Sequence, residues 1–290
     1  MTSTPISPPL IRDLYARMLL TRCVDEYTRA IDPEGDSVAS CRGHEAAQVG
    51  SAHCIKVGHD FTLPYYRDLG VVLTIGMTPY EVFRTHLQNQ HTPHTQLEPT
   101  TQHWGYYKHN TVSGPTPVAT QLLHAAGIAF ASKLRKTSAV TVAYCGDGAM
   151  GAPDFSEAIR FAALHTLPII FICEQTCAES RVVGLPIALT HHCINGIDVI
   201  AVYTAMQTAI QHTRAGKGPI LLEMLVERLS TFSTEAEDVH EKNDPLLCCQ
   251  KYLQMCGEWD EEWATTLLTR TYADVERALH SAQRDGHQSL

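Results

Sequence analysis

The chain is short of positive charge and has no long apolar run. Its 290 residues carry 22 Lys and Arg against 31 Asp and Glu, a formal net charge of −9. A chain so balanced, with no block of Lys or Arg, has no overall attraction for nucleic acid or an anionic membrane, and neither is expected as a partner. No apolar stretch nears the roughly 18 residues that a bilayer-spanning helix needs. The opening MTSTPISPPLIRDLYARM has no apolar core flanked by basic residues, so no secretory leader is expected there. The ten cysteines are scattered, and Cys145 and Cys173 fall inside apolar runs. Reduced thiols and a cytoplasmic location are the expectation. What is present, 44% apolar and 18% charged residues, suits a globular domain with a full interior.

Periodicity predicts an α/β organisation in a single domain over 1–290. Residues 1–9 read as a loose arm, and helical spacing of apolar residues runs from Leu10 to about Ala30. Further helices are expected over about 43–55, 79–88 and 119–134. Asp60–Asp68 reads as irregular, and 89–118 is long and non-periodic, the kind of stretch that is usually functional. Then AVTVAYC (139–145) reads as a buried strand, 152–165 as an amphipathic helix and LPIIFICE (167–174) as a second strand. A further helix (about 198–213) and strand (219–226) continue the alternation. This is the pattern of a doubly wound parallel sheet. Residues 245–290 read as a helical extension in two pieces, broken near Cys256–Gly257.

The turn Gly146-Asp147-Gly148-Ala149-Met150-Gly151 follows a strand and opens a helix. It matches the dinucleotide fingerprint, with Glu174 as the acid for a ribose hydroxyl; on that reading the chain is a nicotinamide or flavin oxidoreductase. Asp147 inside the turn speaks against it, because a carboxylate there repels a bare pyrophosphate. With Mg²⁺ the electrostatics invert: the carboxylate holds the metal and the metal holds phosphate oxygens, while N–H groups at the helix start donate to the diphosphate. Cys173, Cys177, His191, His192 and Cys193 match no compact zinc spacing and are set aside.

At these residues the chain resembles the alpha subunits of the thiamine-diphosphate-dependent 2-oxoacid dehydrogenases. CRGHEAAQVGSA (41–52), LPYYRDLGVVLTIGMT (63–78), SGPTPVATQLLHAAGIA (113–129), GDG with SEAIRFAALHTLPIIFICE (146–174) and NDPLLCCQKYL near the end are similar to successive segments of that family, the second to branched-chain members in particular. The resemblance implies a thiamine-diphosphate-binding fold and oxidative decarboxylation of a branched-chain 2-oxoacid. It implies a beta subunit as partner in a heterotetramer of two alpha and two beta chains, with the cofactor at their interface. The acyl group then passes to a lipoyl transacylase or another acyl carrier. Carried over residue by residue, Tyr66 and Arg67 match the family's diphosphate clamp, and an Arg fork suits phosphate oxygens. Thr116 falls where a hydroxyl near the cofactor is expected, and Val118 where an apolar residue backs the aminopyrimidine. Gly146, Asp147, Gly148 and Ala149 match the diphosphate turn. Asp147, Thr176 and the carbonyl of Ala178 match the Mg²⁺ ligands.

Three features depart from the family pattern. Thr176 stands where the family has a metal-binding asparagine. Only about 20 residues separate Thr176 from INGID (194–198), a short connection. Phe232 stands where the family has the histidine that assists acyl transfer, and a phenyl ring moves no proton. Three readings therefore stand side by side: an active alpha subunit, a degenerate alpha-like subunit with a scaffold or regulatory role, and the nicotinamide-dependent enzyme.

Overall fold

The computed structural model of the protein describes residues 6–31, 39–91, 104–114, 117–176, 185–187, 189–229 and 243–287. Helix α1 spans Pro8–Ile31 and α2 Glu45–Ala52; strand β1 is Phe61–Leu63, followed by α3 at Leu69–Thr74 and α4 at Pro79–His91. After a 3₁₀ turn at Tyr107–His109 come α5 (Thr120–Leu134), β2 (Thr141–Gly146), a second 3₁₀ turn (Asp147–Ala149), α6 (Pro153–Leu164) and β3 (Ile169–Gln175). The chain continues through β4 (Thr190–Asn195), α7 (Val199–Arg214), β5 (Ile220–Leu225), α8 (Pro245–Met255) and α9 (Glu261–His287). Helix α1 takes in Pro8 and Pro9, which the sequence assigned to a loose arm. Proline is tolerated in a first helical turn, where its missing N–H has no intrahelical partner to lose.

The five strands form one sheet in the order β1-β2-β3-β5-β4, every neighbouring pair parallel. The α/β fold class and parallel sheet are as the sequence indicated. Alternate residues serve opposite faces. Ala143, Cys145, Phe171, Cys173 and Leu221 pack under α5 and α6. Val142, Tyr144, Ile170, Ile172, Leu222 and Met224 pack under α2, α3 and α7. Strands buried on both faces must be apolar throughout, which is why β2, β3 and β5 stand out as continuous runs. Two further apolar clusters hold α1, α4, α8 and α9 against this core.

Three elements were not foreseen. Strand β1 is only three residues long, inside a segment read as irregular, and pairs Phe61–Leu63 with Thr141–Ala143. Strand β4, THHCIN, lies at the sheet edge with four of its six residues exposed, so it lacks the apolar run of the inner strands. Helix α3 is six residues of LGVVLT, too short to register as a period.

Candidate cofactor site

Parallel strands all point their C-terminal ends the same way, and open α/β sheets bind ligands at that end. Here four strand ends converge on one cleft of about 790 Å³, part of it open to solvent. From the end of β1 come Pro64, Tyr65, Tyr66 and Arg67; from β2, Gly146 to Ala149; from β3, Glu174; and from the segment after β5, Arg228. Val118 and Ala119, at the start of α5, and Trp104 complete much of the wall.

Asp147 sits at the edge of this cleft. Its Oδ2 accepts the Thr176 hydroxyl at 2.6 Å and the Thr176 N–H at 3.2 Å, and its Oδ1 accepts the Gly148 N–H at 2.9 Å. Arg228 Nη2 stands 4.0 Å from Oδ1. Partial burial opposes ionisation, but the bonds from Thr176, the Arg228 charge and the Gly148 N–H outweigh it and hold the carboxyl below the usual carboxylate range. Asp147 and Thr176 thus present two oxygens side by side. Ligand oxygens on adjacent octahedral positions around Mg²⁺, each at ~2.1 Å from the metal, lie roughly 3 Å apart. The pair needs to open by only a few tenths of an ångström to hold one.

Arg67 stacks on the Tyr66 ring, 5.5 Å from its centroid, and donates to the Ser40 carbonyl at 2.5 Å. The Tyr66 carbonyl in turn accepts the Trp104 Nε1–H at 3.1 Å. The clamp is therefore held from both sides. Val118 is 52% exposed, an apolar side chain standing at the cleft without cover. Of the residues singled out from sequence, the structure brings Tyr66, Arg67, Val118, Gly146, Asp147, Gly148 and Ala149 to one cleft, with Thr176 hydrogen-bonded to Asp147. Thr116, Ala178 and Phe232 lie outside the described residues.

Beneath the cleft is a group that sequence reasoning missed. Glu174, 1% exposed, accepts three contacts on its Oε2: His44 Nδ1 at 2.6 Å, Tyr65 Oη–H at 2.7 Å and Gln48 Nε2–H at 3.2 Å. Glu174 Oε1 and His44 Nε2 are buried without a partner among the described residues. Burial and the nearby Glu174 push both the Tyr65 phenol and the Asp68 carboxyl well above their ordinary ranges. Glu174 Oε2 is therefore committed to protein donors, which weakens the dinucleotide reading. The only advance signals were the acid closing a buried strand and the i, i+4 spacing of His44 and Gln48. His109 rests against the Tyr106 ring at 4.5 Å and is not in the cleft wall.

Residues 15–290 match the family described as Dehydrogenase E1 component. The chain belongs to this family. It is 35% identical, over 93% of its own length and 90% of the relative's, to 2-oxoisovalerate dehydrogenase subunit alpha of Bacillus subtilis (strain 168). Against pyruvate dehydrogenase E1 component subunit alpha of Staphylococcus aureus (strain Mu50) the identity is 29%, over 96% and 79%. The same subunit of Staphylococcus epidermidis is 28% identical over the same shares. The resemblance read from the sequence, to thiamine-diphosphate-dependent 2-oxoacid dehydrogenase alpha subunits, is thus borne out. A thiamine diphosphate fits what the cleft offers: a glycine turn with open space beside Gly148, an arginine on an aromatic ring, and a buried imidazole nitrogen, His44 Nε2, with no partner among the described residues.

Proposed function

We propose that the chain is the alpha subunit of a decarboxylating 2-oxoacid dehydrogenase of branched-chain type, which binds thiamine diphosphate through Mg²⁺. It acts with a beta subunit in a heterotetramer of two alpha and two beta chains, and a lipoyl transacylase or another carrier takes the acyl group. No described helix is long and apolar enough to cross a membrane, and a cytoplasmic location accords with nine free cysteines among the described residues. The observation that carries the cofactor reading is the Asp147–Thr176 oxygen pair at the C-terminal strand ends, beside Arg67 and the glycine turn.

Each side chain then has a physical task. Asp147 and Thr176 hold the divalent cation, with the Ala178 carbonyl as the third protein ligand. Arg67, steadied by the Tyr66 ring, meets diphosphate oxygens, and the N–H groups of the Gly146–Ala149 turn line the same side. Val118 excludes water from the ring side, and Thr116 is the residue whose hydroxyl the family resemblance assigns to the cofactor. Bound thiamine diphosphate supplies the nucleophilic carbon and the electron sink that decarboxylation requires.

Calorimetric titration of thiamine diphosphate with Mg²⁺ into the chain, alone and with a co-expressed beta-type subunit, tests this reading. Metal-dependent binding that Asp147→Ala abolishes is expected. Unchanged binding by Asp147→Ala sinks the metal assignment. A second reading rests on Phe232: without a proton-transferring side chain there, the subunit binds cofactor but serves as a scaffold. Acylation of a lipoyl carrier by the assembled complex decides between the two.

A further inference from the structure

We infer that His44 is a diphosphate-binding residue of this cleft, its Nε2 reserved for a phosphate oxygen of the cofactor. The inference rests on the cofactor reading above and adds a residue outside the clamp and the metal pair.

His44 occupies the N-cap position of α2, yet its side chain makes no cap hydrogen bond. The ring is instead turned into the interior, 1% exposed, where it forms part of the cleft wall. Nδ1 is spent on Glu174 Oε2 at 2.6 Å, which fixes the ring's orientation. Nε2 is buried with no partner among the described residues, and it donates to a phosphate oxygen in the imidazolium form, in which both ring nitrogens carry protons. A buried ring nitrogen without a partner carries a desolvation cost, which a ligand oxygen in the cleft would relieve.

The position singles out the diphosphate over the rings. Glu174 on β3 registers directly beside Gly146 on β2. The Tyr65 ring, whose hydroxyl shares the Glu174 oxygen with His44, lies 3.5 Å from where a side chain on Gly146 would begin. The cluster therefore sits under the glycine turn. Support from behind is stiff. Gly43 has φ +95°, and a Cβ there would stand 2.0 Å from the Glu227 carbonyl oxygen. Its N–H donates to Glu45 Oε2 at 2.7 Å, and Glu45 is held by Arg22 at 2.8 Å. The imidazole is thus delivered to the cleft by a backbone with no room to shift.

Two substitutions separate the ring's nitrogens. His44→Asn keeps an amide donor near the place of Nδ1 and deletes Nε2; His44→Gln reaches the place of Nε2 and gives up Nδ1. Inorganic pyrophosphate and thiamine diphosphate, each with Mg²⁺, are titrated calorimetrically into the full-length chain, alone and with a co-expressed beta-type subunit, and ligand-free melting is recorded for each variant. His44→Asn is expected to melt with the wild type and to bind both ligands about ten- to a hundredfold more weakly, the span of a hydrogen bond to a charged partner. His44→Gln is expected to bind more tightly than His44→Asn. Equal affinity of His44→Asn and wild type overturns the inference. So does a drop in ligand-free melting with affinity intact, which makes His44 a structural residue, or weakening confined to thiamine diphosphate, which moves the contact to the rings. A wild-type chain that binds neither ligand, alone or with a co-expressed beta-type subunit, overturns the cofactor reading and this inference together.

Discussion

Thr176→Val is the sharpest perturbation of the proposed metal site, because valine matches threonine in shape and removes only the hydroxyl. That hydroxyl donates to Asp147 Oδ2 at 2.6 Å, and is the largest influence lowering the Asp147 carboxyl. In the ligand-free chain the loss is small. Asp147 is 23% exposed, so water replaces the lost donor at a cost of ~1 kcal/mol or less. The cation-bound state loses more, since an oxygen ligand is gone and a methyl group faces the metal. A bond to a charged partner is worth about 1.5–3 kcal/mol, so Mg²⁺ affinity should fall roughly ten- to 150-fold. The reverse change, Thr176→Asn, supplies an amide carbonyl, a stronger oxygen donor than a hydroxyl, and should tighten binding. Titration of Mg²⁺ at saturating thiamine diphosphate, with melting of the ligand-free variants as control, reads both. Valine and wild type binding Mg²⁺ alike would refute the pairing of Thr176 with Asp147 as ligands.

Two further predictions concern the frame that holds the site. Arg22→Met strands two carboxylates, Glu45 (0% exposed) and Asp244, which Arg22 meets at 2.8 and 2.5 Å; a loss of about 3–5 kcal/mol in denaturant unfolding is expected. Asp60, fully buried, accepts both Arg214 Nη1–H and Nη2–H and the N–H groups of Val140 and Lys56. Burial opposes its charge, but these bonds win and leave its carboxyl below the usual range. A depressed carboxyl stabilises the fold above the ordinary carboxylate pKa of about 4 and loses that contribution as pH falls through the lowered value. Asp60→Asn should therefore be less stable at neutral pH, with a shallower loss of stability on acidification; parallel acid-melting curves for the two proteins count against it.

What could be read from the sequence was whatever is written locally. Strands β2, β3 and β5 are apolar on both faces and announce themselves. Strand β4 does not, because at the sheet edge His191, His192 and Cys193 meet solvent and need no apolar run. The Gly146–Asp147 turn and Arg67 were legible because each carries its chemistry within a few residues. The meeting of His44 with Glu174 was not. They are 130 residues apart, and only the placement of β1 beside β2, and β2 beside β3, sets Tyr65, His44 and Glu174 around one oxygen. No periodicity in either segment encodes that meeting.

The cleft draws its wall from His44 to Arg228, so no short fragment contains it. A ligand seated there is bound only by a chain whose whole sheet is assembled. Mass action then ties cofactor supply to the abundance of the folded protein: a hundredfold excess over the dissociation constant adds about 2.7 kcal/mol of stability. Loss of the cofactor is then felt twice, as lost chemistry and as faster turnover of the subunit.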